Sequence, residues 1–157
     1  MIRVLIVEDE PALARGLSLL ITKNYTDFEV LGICKNGRDG LHNILKLEPE
    51  LVFTDITMPV MNGLDMIEEV QKAHFHTRFV ILTGYADFEY ARKAITLKVS
   101  DYLLNPVDPD ELKEALTKIK KEFQIAGNDY EEIFNAQAAA LTPSQIADLL
   151  KDFIVNN

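Results

Sequence analysis

Three acidic side chains at the ends of two apolar runs are the first residues of this chain that can do chemistry. RVLIVEDEP carries Arg3 to Val7, which read as a buried strand, and then Glu8 and Asp9. LVFTDITMP, from Leu51 to Pro59, repeats the device with Asp55 followed by a Met-Pro loop. On neighbouring parallel strands, Glu8, Asp9 and Asp55 converge at the carboxyl edge of one sheet, where open α/β proteins bind their ligands. Such acids repel one another: a pair about 4 Å apart costs roughly 4 kcal/mol at an effective dielectric near 20. A divalent cation offsets that cost, and a water-retaining site of one or two carboxylates plus phosphate oxygens suits Mg2+. Protonating one acid is the metal-free alternative. The plainer reading leaves all three as solvated loop residues.

The elements that must position these acids follow from periodicity. Strand-like runs alternate five times with helical periods, the pattern of a parallel sheet covered on both faces. Strands are expected at about Arg3–Val7, Phe28–Cys34, Leu51–Thr54, Phe79–Leu82 and Val99–Leu104. The first helix opens at Glu10-Pro11 and carries Leu13, Leu17, Leu20 and Ile21 on one face. Asn36-Gly37 turns the chain into a second helix, which ends before Pro49, and Asn62-Gly63 precedes a third. Asp87 caps a fourth, with Phe88, Ala91 and Ile95 on its stripe, and Asp108 caps a fifth, with Leu112, Ala115, Leu116, Ile119 and Phe123. Right-handed crossovers and short loops predict a flavodoxin-like, doubly wound, five-stranded parallel sheet of order 2-1-3-4-5. That order places the first and third strands side by side. Beyond Phe123 the pattern changes: Ala126-Gly127-Asn128 reads as a helix stop, and Thr142-Pro143-Ser144-Gln145 opens an amphipathic segment with Ile146, Leu149, Leu150, Phe153 and Ile154. The expected organisation is therefore a domain over residues 1–123 and a helical extension over 124–157. The extension is expected to pack on its own domain or on a second copy.

The composition excludes several classes of function. With 48% hydrophobic and 26% charged residues the chain is globular, and no run is long enough to span a membrane. The opening apolar stretch contains Arg3 and runs into acids, unlike a secretory signal, so a cytoplasmic protein is expected. The single cysteine, Cys34, reads as a small buried hydrophobe. A net charge of −9 lacks the basic footprint of a nucleic-acid binder, so contact with DNA would require something outside these residues. His74 and His76 flank Phe75 without a third ligand nearby, which argues against a metal site there.

Residues from about Ile2 to Phe123 resemble the receiver domain of two-component response regulators. VEDE looks like that family's acidic pair and TDITMP its phosphoacceptor loop. LTGYADFEYARKAI is similar to its switch threonine and fourth helix, and DYLLNPVDPDEL to its switch aromatic and the loop before the last helix. The wording GYADFEYA and SDYLLNPVD is closest to receivers that precede AraC-type DNA-binding domains. By this resemblance Asp55 is the nucleophile that accepts a phosphoryl group from a sensor histidine kinase or a small phosphodonor. Mg2+ would be held by Asp9, by Glu8 through water, by Asp55 and by the Thr57 carbonyl. Thr83 would be the switch hydroxyl and Tyr102 the switch aromatic, reshaping the face made by the fourth helix, fifth strand and fifth helix. Homodimerisation through that face or through the tail, and DNA contact through an output domain not in this chain, are implied. Tyr85 and Thr57 would line the entry to Asp55.

One position departs from the pattern. Asn105 stands where the family has lysine, so a neutral amide replaces a full positive charge. A charge-assisted hydrogen bond contributes roughly 1.5–3 kcal/mol against about 1 for a neutral one. The expected consequences are slower phosphotransfer, a shorter-lived active state or an uncoupled switch. Asn105-Pro106 is also a candidate cis peptide. Two other functions compete with the phosphoacceptor switch. One is a constitutive interaction module that works without phosphorylation; the other is a Mg2+-dependent phosphatase with an aspartyl intermediate, disfavoured because Thr57 is not an acid that could donate a proton.

Overall fold

Alternating strands and helices leave each strand edge-paired only with other strands, and the sheet assembles accordingly. The computed structural model describes residues 1–73, 75–84 and 87–138. The strands are β1 (Ile2–Val7), β2 (Phe28–Cys34), β3 (Leu51–Asp55), β4 (Arg78–Thr83) and β5 (Asp101–Leu104). The helices are α1 (Pro11–Asn24), α2 (Gly37–Leu47), α3 (Gly63–Lys72), α4 (Phe88–Thr96) and α5 (Pro109–Ala138). The five strands form one sheet in the order β2-β1-β3-β4-β5, and every pairing is parallel. This is the expected flavodoxin-like order.

Buried on both faces, the central strands read as continuous apolar runs. Val4, Ile6, Val7, Leu51, Val52, Phe53, Val80 and Ile81 are all fully buried. Each such side chain contributes roughly 1.5–3 kcal/mol relative to exposure. Leu5, Val7, Val52, Phe79 and Ile81 share a cluster with Ile44 of α2, with Met66, Ile67 and Val70 of α3, and with Ala94 of α4. Register then sets the site. Val7 is level with Thr54, Asp55 with Leu82, and Thr83 with Leu104, so the residues that follow each strand gather at one edge.

Helix starts follow the sequence signals. Pro11 occupies the first turn of α1; the Asn36 side chain accepts from the Asp39 amide at 2.8 Å and the Asn62 side chain from the Asp65 amide at 2.9 Å. Asp87 accepts from the amides of Glu89 and Tyr90. The second helix ends on Glu48 in the left-handed region, just before Pro49, which cannot continue a helix. At the opposite, amino edge of the sheet, Arg3 is clasped. Its guanidinium meets Glu50 at 2.6 Å and donates to the carbonyls of Leu47 (2.9 Å) and Glu48 (2.7 Å).

Three local expectations are corrected. Val99 and Ser100 do not join β5, because the Val99 amide closes the end of α4 on Ala94 and the Ser100 amide bonds Phe79. Ile95 is 77% exposed, whereas Ala94 of α4 is buried in the core, one position away from the expected stripe. The helix stop at Ala126–Asn128 does not occur, since α5 runs to Ala138 through Gly127. A single interior glycine costs about 1 kcal/mol, too little to end a helix by itself.

Residues Met1–Ala115 form one compact unit and Leu116 begins a second, whose described part is the continuation of α5. The expected segment from Thr142 onward, with His74 and Tyr85, lies outside the described residues. Among the described residues, no helix is long and apolar enough to cross a membrane.

Candidate functional site

β1 and β3 lie side by side with Val7 level with Thr54, so the next residues, Glu8 and Asp55, emerge together. With Asp9, each offers a carboxylate oxygen within 4.8 Å of the other two. Glu8 is buried at 2% exposure, Asp55 is half-buried and Asp9 is exposed. The Glu8 amide donates to the Cys34 carbonyl at 2.9 Å, which fixes the end of β1 against β2. The Asp55 Oδ1 accepts from the Ile56 amide at 2.7 Å, and the Glu8 Oε2 accepts from the Asp9 amide at 3.1 Å.

Burial and crowding make two of these acids weaker than usual. Desolvation, then the charge of Asp55 and then that of Asp9, push the Glu8 carboxyl up to about 8. Burial also lifts Asp55, while its hydrogen bonds with Glu8 and the Ile56 amide pull it partly back. Without a cation, the pocket therefore keeps a proton near neutrality, which is the metal-free solution to like charges at close range. The donor set is all oxygen, anionic and partly open to solvent. It fits a hard divalent cation that retains water.

The other strand ends supply three neighbours. Asn105 follows β5; its main-chain amide donates to the Thr83 carbonyl at 2.7 Å, and its side-chain amide lies 3.4 Å from Glu8 Oε1. The Asn105-Pro106 peptide is cis, as expected. Thr83 is buried, whereas Thr57 is exposed. Tyr102 is partly buried against the core cluster. Burial raises its phenol above the ordinary value, and a hydrogen bond with the Thr83 side chain offsets part of that rise. Threonine and tyrosine are thus already in contact across β4 and β5.

The model of the response regulator receiver domain matches residues 4–117. The chain belongs to the response regulator receiver family. This receiver is 38% identical over 122 residues to the transcriptional regulatory protein BtsR of Escherichia coli, covering 78% of this chain and 49% of that protein. It spans about half the length of the curated relatives it matches. Two solved structures are similar. One is the REC domain of AraT, a response regulator from Geobacillus stearothermophilus, with a TM-score of 0.74, 32% identity, and coverage of 80% of this chain and 98% of that one. The other is a LuxR-family DNA-binding response regulator from Staphylococcus aureus, with a TM-score of 0.70, 33% identity, and coverage of 76% and 98%.

Glu8, Asp9, Asp55 and Asn105 meet at one edge of the receiver, and Thr83 and Tyr102 meet beside it. The neutral amide of Asn105, at the position where the family has lysine, lies toward Glu8. That contact joins residues 97 apart in the chain and follows only from the order β1-β3-β4-β5.

Proposed function

We propose that this receiver is a phosphoacceptor switch in which Asp55 takes a phosphoryl group from the phosphohistidine of a sensor histidine kinase. The observation that carries the reading is the half-buried Asp55 carboxylate, held by the Ile56 amide within reach of Glu8 and Asp9. An Asp55 carboxylate oxygen attacks phosphorus in line, the new O–P bond forms as the N–P bond breaks, and the donor imidazole leaves with its electron pair. Glu8, Asp9 and Asp55, with the Thr57 carbonyl, would hold Mg2+. When bound, the ion screens the carboxylates from the anionic phosphoryl oxygens.

Thr83 is the residue poised to donate its hydroxyl to the acquired phosphoryl group, and Tyr102, already bonded to it, reports the change to β5 and α4. Asn105 contributes no charge; it holds Glu8 instead. The chain acts on no separate substrate: its chemistry is its own phosphorylation and dephosphorylation, in the cytoplasm. Exposed Ile95 on α4 and Leu104 on β5 support pairing of two copies through that face, with the tail beyond residue 123 as the other candidate surface. The curated relatives are transcriptional regulators of which this chain covers about half, which supports DNA contact through an output domain. One solved relative is of the LuxR family and none of the relatives described above is named as AraC-type, so the AraC-type refinement has only the sequence wording behind it.

Intact-protein mass after incubation with acetyl phosphate and Mg2+ tests the reading, with Asp55→Asn as the blank. An adduct on the parent that is absent from Asp55→Asn is the expected result. The neutral Asn105 amide beside Glu8 favours a second reading, an interaction module that works without phosphorylation. No adduct on the parent, with one on Asn105→Lys, would establish that second reading.

A further inference from the structure

Asn36-Gly37 and Asn62-Gly63 open helices on either side of the Asp55 loop, and neither glycine takes a positive φ. Backbone freedom does not explain them; close approach does. A Cβ on Gly37 would be driven into the main-chain carbonyl oxygen of Met61, with the Met61 carbonyl carbon at 2.8 Å and its Cβ at 2.9 Å. A Cβ on Gly63 would meet the carbonyl oxygen of Asp55 itself. Gly16, Gly32 and Gly84 have nothing within 4 Å, and the nearest neighbours of a Cβ on Gly40 are the side chains of Met66 and Val7, so crowding by main-chain atoms is found at Gly37 and Gly63, the two glycines against this loop.

Between these two bare positions the loop has little slack. The Gly63 amide donates to the Ile56 carbonyl at 2.8 Å, and Ile56 and Met58 are buried. The Met61 amide donates back to the Pro59 carbonyl at 2.9 Å, closing a three-residue turn on Val60. Val60 has a φ of 73°, a value that a β-branched residue rarely adopts. A push on the Met61 carbonyl therefore travels back along the loop to Ile56, whose amide holds Asp55 at 2.7 Å.

The geometry points to Gly37 as a positioning residue for the Asp55 site, although it sits on α2. Its bare Cα seats the Met61 carbonyl and so sets where the loop presents the Ile56 amide and Thr57. The effect on phosphorylation rests on the phosphoacceptor reading above; the placement of the loop amides does not.

Gly37→Ala tests it, because alanine is favoured over glycine within a helix and any loss must come from the Met61 contact. Ile44→Val, a fully buried trim on the same helix, is the matched packing control. Amide resonances of Ile56, Thr57 and Met61 are followed in 15N-labelled protein, and the initial rate of adduct formation with acetyl phosphate and Mg2+ is measured. Gly37→Ala is expected to move the Ile56 and Thr57 resonances and to slow adduct formation about tenfold or more. Ile44→Val is expected to leave both resonances in place. Unmoved resonances in Gly37→Ala, or equal slowing in Ile44→Val, overturn the inference. If the parent takes no phosphoryl group, the phosphoacceptor reading fails while the resonances still decide this one. If Gly37→Ala does not fold, the double variant with Val60→Gly lets the loop withdraw. It is expected to fold with displaced Ile56 and Thr57 amides, and native positions there overturn the inference.

Discussion

The two edges of the same sheet treat charge in opposite ways. At the amino edge, Arg3 and Glu50 neutralise each other at 2.6 Å, and the spare donors of the guanidinium are taken up by the carbonyls of Leu47 and Glu48. At the carboxyl edge, Glu8, Asp9 and Asp55 stand within 4.8 Å with a neutral amide, Asn105, beside them. Folding alone would favour the first arrangement everywhere, because opposite charges in contact need nothing further. The second is stable only with a proton or a cation supplied from outside, so it makes the state of the edge depend on what binds there. The difference separates a structural clasp from a site.

Asp9→Asn strikes hardest at that difference. Removing one carboxylate from the cluster is expected to weaken Mg2+ binding at least about tenfold, read as loss of the Mg2+-induced rise in melting temperature. An unchanged response would mean that the cation binds elsewhere.

The next largest effect is a pH dependence confined to the carboxyl edge. The Glu8 carboxyl sits at about 8 in the folded protein against 4.5 ordinarily, so between those values the folded state binds more protons than the unfolded chain. Metal-free stability from this group is therefore fully present below about 4.5 and is lost as pH rises through about 8. Melting in EDTA is expected to fall between pH 5 and pH 9, and Mg2+ or Glu8→Gln is expected to flatten the slope. A rising curve would place the shared proton elsewhere.

Arg3→Ala tests the other edge. It is expected to lower the melting temperature with no pH slope of its own between 5 and 9, and to leave the Mg2+ response unchanged. A weakened Mg2+ response would show that the two edges are coupled through β1.

The smallest effect makes the carboxyl edge resemble the amino one. Asn105→Lys places an ammonium near Glu8 and is expected to raise metal-free stability at pH 8 by on the order of 1 kcal/mol, measured by urea unfolding. A destabilised variant would show that the Asn105 amide is itself needed to hold Glu8.

Much of this was legible in the sequence because the signals are local. Strand-end acids, an Asn-Gly before each of two helices and five alternations of period suffice for the sheet order and for placing Glu8, Asp9 and Asp55 together. What escaped depends on the assembled molecule. The Arg3–Glu50 clasp joins residues 47 apart and needs the register of β1 on β3. The burial of Ala94 in place of Ile95 depends on how α4 is rolled against the sheet, which a nine-residue amphipathic stripe does not fix. Gly37 looked like a turn residue because Asn-Gly is a turn signal; only the position of the Met61 carbonyl shows it as a close contact.

The strand order also divides the site in time. β1 and β3 pair directly, so by residue 55 a growing chain already contains all three carboxylates and the two strands that carry them. Thr83, Tyr102 and Asn105 come from β4, β5 and the loop that follows, added later and toward one side of the sheet. The half that captures charge is thus encoded before the half that reads it, and each is closed by parallel pairings between distant segments, the slow kind to form.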